Sequence, residues 1–254
     1  MSLFVEQFDK PASARDAMAL GAAAQRAGDV LAGRTIWCVI AMPGARRSAD
    51  ALRARVDGAG PGVAATSLQL TAAEPLRDLA RQLEQMLGGV STQGSSGLGP
   101  AEREAYARGA LDGDDLLGDG VQAQDVVVVH DALSALVSQA ARQRGAHVVW
   151  RFRVASRSQP ARQDALQFLQ RFTPGVDAHV TTWLQRDSHG ELVQRVAAAL
   201  PAAGMLATKQ FRTRFTGEQP RRLAWRMVLA EVVRSDRGEC VGGTLHPRPS
   251  VAAR

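Results

Sequence analysis

The sequence predicts an α/β domain, a Rossmann-like open parallel sheet flanked by helices. Three observations predict it. Short runs such as TIWCVIAM (35–42) and DVVVVH (125–130) are apolar from end to end and rich in β-branched residues, the pattern of strands buried on both faces. Between such runs lie amphipathic segments of helical period; Leu76, Leu79, Leu83 and Met86 fall on one stripe of Pro75–Leu87. The strand and helix segments alternate through short connections, which is how right-handed βαβ units build a parallel sheet.

Taken in order, Ala14–Leu31 is predicted to be a helix, Thr35–Met42 the first strand and Ala49–Val56 a short helix. Val63–Leu70 is a second, alternating strand, and Pro75–Leu87 the helix that follows it. Residues 88–100 (GGVSTQGSSGLGP) are Gly/Ser-rich, the composition of a flexible connector or a lid. Ala101–Leu111 is helical, and the acidic stretch DGDDLLGDG after it is a solvated turn, since it lacks the spacing and closing Glu of a calcium loop. Asp125–His130 is the clearest strand. Leu133–Arg144 is a helix closed by Gly145, a residue suited to a C-cap. His147–Val154 is another buried strand, a helix opened by Pro160 runs to Phe172, and Asp177–Trp183 is the fifth strand. Beyond Gln185 the pattern weakens; Glu191–Leu200 and Arg221–Val233 have helical character, and Val241–Pro249 that of strand or loop. The expected organisation is one domain over 1–185 and a C-terminal extension over 186–254 packed on it.

Composition narrows the function classes. Hydrophobic residues make up 45% of the chain and aromatics 5%, enough for an aliphatic, Ala-rich core. No run reaches the ~18 consecutive apolar residues of a membrane span. The N-terminus lacks the basic-then-apolar order of a signal peptide. Only Cys38 and Cys240 occur, which together with the absence of an export signal predicts the cytoplasm. The net charge of +6 comes almost wholly from arginine, Lys10 and Lys209 being the only lysines. Those arginines are spread along the chain rather than gathered in a basic block of about 5–8 residues, so the charge does not point to nucleic acid. Cys38, inside an apolar run, is expected to be a small core residue. The cysteines and histidines lack zinc-ligand spacing, and no CxxC, HExxH, GxSxG or Walker pattern is present; neither metal nor cofactor is expected.

In an open parallel sheet, ligands bind beyond the carboxyl ends of the strands, near the switch in strand order. That rule selects the residues after each strand. Gly44, Arg46 and Arg47 follow the first, at the start of a helix whose amides favour an anion. His130 and Asp131 follow VVVV; a polar pair there costs desolvation unless it is hydrogen-bonded or opens on a cleft. His130 suits proton transfer near neutral pH, and Asp131 suits either orienting it or capping the next helix. Arg151 and Arg153 share one side of the fourth strand and have the fork geometry for carboxylate or phosphate. Trp183 ends the fifth strand as an apolar wall or a core residue. His246 and Arg248 lie in the C-terminal stretch with no position assigned by the pattern.

Three of these segments resemble the N-terminal domain of trehalose synthase-type retaining glycosyltransferases. DVVVVHDALSALV is similar to that family's strand and His-Asp-Pro motif. GAHVVWRFRV is similar to its Trp-Arg-Cys-His-Ile-Asp strand, and PARQDALQFLQRFTPGVDAHVTTW to its helix, Asp-Ala and strand. The resemblance implies one half of a two-Rossmann (GT-B) enzyme, the half that holds the acceptor, with His130, Asp131, Trp150 and Arg151 on motifs lining the interdomain cleft. Ala132 stands where the family has proline, and Phe152-Arg153-Val154-Ala155 where it has Cys-His-Ile-Asp. A donor domain needs roughly 150 further residues, more than 186–254 supply.

The expected function is an enzyme derived from this acceptor-binding half. It acts on a small polar or anionic metabolite, by cyclisation, isomerisation or elimination, with His130 as acid/base and arginines holding anions. Two alternatives stay open: a non-catalytic auxiliary subunit of a glycosyltransferase or other biosynthetic enzyme, and the acceptor half of a split transferase. The partners expected are a small-molecule substrate and either a second copy of the chain or a biosynthetic enzyme, with no nucleic acid and no membrane.

Overall fold

A computed structural model describes residues 22, 25–57, 62–88, 98–153, 160–173, 175–186, 192–199, 213–215, 225–226, 229–230 and 232–233; at 152–153, 181–186, 192–199 and 213–215 the description is of the backbone. Five parallel strands form the centre: β1 Thr35–Ile40, β2 Ala64–Gln69, β3 Val126–Val129, β4 His147–Arg153 and β5 Ala178–Arg186. Two more, β6 Leu192–Ala199 and β7 Thr213–Phe215, continue the sheet in antiparallel pairing, giving the order β2-β1-β3-β4-β5-β6-β7. The expected strands are all present, each within a few residues of its predicted ends. The arrangement is Rossmann-like, and β2 lies on one side of β1 while β3 lies on the other, so the order reverses between β1 and β3.

The helices are α1, described over 25–31, then α2 Pro43–Val56, α3 Glu74–Leu87, α4 Pro100–Leu111, α5 Gly113–Leu117, α6 Ser138–Gln143 and α7 Pro160–Gln170. Alternation along each strand divides the core in two. Ile36, Cys38, Val126, Val128, Val149 and Val180 face α1, α2 and the helical residues Trp225, Leu229, Ala230, Val232 and Val233. Val39, Val127, Val129, Val148 and Trp150 face α3 and the helical layer that ends with Phe168 and Leu169 of α7. No helix among the described residues is long and apolar enough to cross a membrane.

Four expectations are corrected. Glu191–Leu200 is not helical: β6 pairs with β5 from His179↔Ala199 to Arg186↔Leu192. Its alanines favour a helix, but the exposed edge of β5 supplies a full ladder, and tertiary pairing overrides propensity. The helix predicted at Ala49 begins instead at Pro43, because proline is preorganised for the first helical turn. The acidic stretch is α5 followed by a 3-10 turn at Gly118–Gly120, with Gly113 and Leu117 buried rather than solvated. Residues 134–143 are also less regular than predicted, a 3-10 turn at Ser134–Val137 leading into α6. Gly145, at φ 83°, ends that segment as its glycine predicts, with its N–H donating to the Arg142 carbonyl. Residues 1–21, the stretch 89–97 and the segment Val241–Pro249 lie outside the described residues.

His179 of β5 stacks edge-on against Trp150 of β4, ring centres 5.5 Å apart. Burial lowers its imidazole below the ordinary 6.5. The unfolded chain therefore takes up this proton before the folded one does, and the folded state loses stability as pH falls from 6.5 through the lowered value. Thermal melts of the wild type and His179→Gln at pH 7.5 and 5.5 should show a smaller acid-induced drop in the variant. Equal drops would refute this account.

Candidate functional site

The strand order opens a gap at the carboxyl ends of β1 and β3, and a cleft of about 370 Å³ lies there. The start of α2 supplies Met42, Gly44, Ala45 and Ser48 to its lining. The turn after β3 supplies His130 and Asp131, the end of β4 supplies Arg151, and α3 supplies Arg81, Glu84 and Gln85. The sequence-predicted residues Gly44, His130, Asp131 and Arg151 thus meet in one place.

Asp131 is 2% exposed and spends its carboxylate on backbone. Oδ2 accepts the N–H groups of Ala41 (2.9 Å) and Met42 (3.1 Å), and Oδ1 accepts that of Ser134 (2.7 Å). The Ser134 hydroxyl in turn accepts the N–H groups of His130 and Asp131, each at 3.0 Å. Burial raises the Asp131 carboxyl above the ordinary carboxylate range, and the amides of Ala41, Ser134 and Met42 oppose that rise. Asp131 thus ties the turn after β3 to the end of β1, through the Ser134 amide on one side and those of Ala41 and Met42 on the other.

His130 finds its neighbour on β4. Its Nδ1 lies 3.5 Å from Nη1 of Arg151, and the same Nη1 donates to the Ser48 carbonyl at 2.8 Å. When Nδ1 accepts from the guanidinium, the imidazole proton sits on Nε2. Arg151 is 3% exposed, and its guanidinium carbon lies 5.0 Å from the centre of the Trp225 ring. Beneath it, burial pushes the Cys38 thiol up to about 12 against the opposing charge of Arg151, so Cys38 is a core residue and not a nucleophile.

The turn carrying His130 is held from a third side. The N–H of Ala132 donates to Glu84 Oε1 at 2.6 Å, and the Tyr106 hydroxyl donates to the carbonyl of the same residue. Glu84, Gln85 and Arg81 were missed from sequence. The stripe that marks α3 identifies its buried face, and nothing local says that the opposite face borders the strand switch. Arg81 also pairs with Glu74 at 2.7 Å and with Asp78, at the rim.

Other predicted residues are placed elsewhere. Arg46 and Arg47 are exposed on α2 and do not line the cleft, because the helix begins before them and turns them outward. Arg153 and Trp183 lie on β4 and β5, and their side chains fall outside the described residues, as do His246 and Arg248. Among the described residues no three His, Cys, Asp or Glu side chains gather to hold a metal ion.

Residues 62–186 match the family model of the trehalose synthase N-terminal domain. The matched stretch carries β2 to β5, with His130, Asp131, Arg151 and Glu84; β1, α2 and Trp225 fall outside it. No curated protein matches the chain.

The Asp131 clamp makes a distinct prediction for Asp131→Asn. A simple helix cap tolerates asparagine about as well as aspartate. Here both oxygens accept, so one way or the other the new NH2 group must face a backbone N–H. A buried donor left unsatisfied costs about 1–3 kcal/mol. Chemical denaturation should show a loss of that order, and an unchanged midpoint would rule out the clamp.

Proposed function

We propose, from the premise that residues 62–186 form a glycosyltransferase-type domain of the trehalose synthase N-terminal kind, that the chain is an enzyme working in this cleft on a small polar or anionic metabolite. The observation that carries the reading is the meeting of His130 and Arg151 at the strand switch, inside a cleft of metabolite size. Arg151 supplies a fixed cation for a phosphate or carboxylate, helped by the first turn of α2. Gly44 leaves open space there, since an added Cβ would meet nothing within 4 Å. Glu84 and Gln85 border the opposite side with groups suited to hydroxyls. His130 gives or takes a proton, chemistry that isomerisation, cyclisation and elimination all require. A phosphorylated sugar has the size and polarity for both sides.

One observation favours a second reading. The Asp131 carboxylate is engaged by backbone amides, so it does not form an orienting pair with His130. A binding subunit, or the acceptor half of a split transferase, needs the cleft and the cation but no such pair.

The two readings separate in heavy water with a panel of sugar phosphates. Under the enzymatic reading the wild type exchanges solvent deuterium into one of them, and His130→Ala slows that exchange by about 10²–10⁴-fold while binding persists. Under the binding reading calorimetry detects ligand but no exchange occurs. Exchange by His130→Ala at the wild-type rate would eliminate His130 as the acid/base.

A further inference from the structure

We infer that Trp225 is a positioning residue for ligand binding: its ring holds the Arg151 guanidinium in the plane from which the fork meets an anion in the cleft. This rests on the reading of the cleft as a ligand site. It completes that site with a residue well outside the matched stretch 62–186.

Arginine has a long, many-rotamer stem, and a fork at a strand end is useful for bidentate recognition only when its plane is fixed. Three described contacts fix this one. The Ser48 carbonyl takes Nη1 at 2.8 Å, His130 Nδ1 lies 3.5 Å from the same nitrogen, and the Trp225 ring centre is 5.0 Å from the guanidinium carbon. The first two act on one nitrogen, and the ring packs against the guanidinium carbon from the helical layer over that sheet face, adding a restraint of its own. Trp225 is itself immobilised: it is 2% exposed, and Leu229, Val232 and Val233, at helical spacing after it, are fully buried against the same sheet face as Cys38, Val128 and Val149. Linkage then runs both ways. If the seated helix improves ligand binding, ligand must tighten the seating of the helix by the same factor.

The probe is glucose 6-phosphate, with glucose and inorganic phosphate for comparison, measured by calorimetry on the full chain. Trp225→Leu keeps an apolar side chain but loses the ring; it should weaken glucose 6-phosphate binding about 10-fold or more, the order expected for a desolvated cation–π contact. Trp225→Phe, which restores a ring face, should recover most of the affinity. In the wild type, saturation with glucose 6-phosphate should slow amide hydrogen exchange across 225–233. A wild type that binds none of the three probes overturns the cleft reading, and this inference with it. Binding that Arg151→Met abolishes but Trp225→Leu leaves intact overturns the inference alone. If Trp225→Leu fails to fold, unchanged exchange at 225–233 in the saturated wild type overturns it equally.

Discussion

The carboxylate of Asp131 accepts amides from two places that are about ninety residues apart in the chain, the end of β1 and the turn after β3. These are the two strands between which the sheet changes direction. At such a junction successive connections leave on opposite faces, so no helix crosses the gap to tie the strand ends together. A buried, doubly accepting side chain does so instead. Two parts of the cleft lining adjoin that tie: α2 starts at Pro43, directly after the clamped amide of Met42, and His130 is the residue before the clamp. Ser134, Glu84 and Tyr106 then satisfy the N–H of His130 and the N–H and carbonyl of Ala132. A buried charge is costly in isolation, and here the cost is offset by backbone donors that would themselves be stranded without it.

Much of the fold was legible because its strands are buried on both faces. A four-valine strand flanked by polar residues admits few interpretations, and its burial on both faces follows from hydrophobicity alone. β6 was not legible, because LVQRVAAA carries no strong period and owes its conformation to the edge of β5. The site divides the same way. His130, Asp131 and Arg151 were visible as polar residues at the ends of apolar runs, where burial demands an explanation. Their partners were not visible: the Asp131 acceptor geometry, the reach of Glu84 to Ala132 and the seating of Trp225 all depend on which helix lies over which strand. Arg46 and Arg47 lie away from the cleft for a local reason. Their charge suggested an anion loop, but Pro43 starts the helix early and its phase turns both outward.

The family match and the cleft do not share boundaries. The matched residues include the turn of His130 and the strand of Arg151, while the helix start that faces them and the tryptophan against Arg151 lie on either side. The hydrogen bond from Ala132 to Glu84 is specific to a residue with an N–H at that position; a proline there has none to give. Similar motifs can therefore sit in differently supported turns, and likeness of the motif does not transfer the chemistry.

The open space beside Gly44 has a practical consequence. Its backbone is helical with ordinary φ, nothing would meet a Cβ within 4 Å, and it borders the cleft. Cys38 is fully buried, its thiol pushed up to about 12 by that burial, and is shielded from alkylating reagents in the folded chain. Once Cys240 is replaced by serine, Gly44→Cys would therefore give the folded chain a single addressable thiol at the cleft mouth. A fluorophore or spin label attached there would report on the cleft without touching the residues that form its floor.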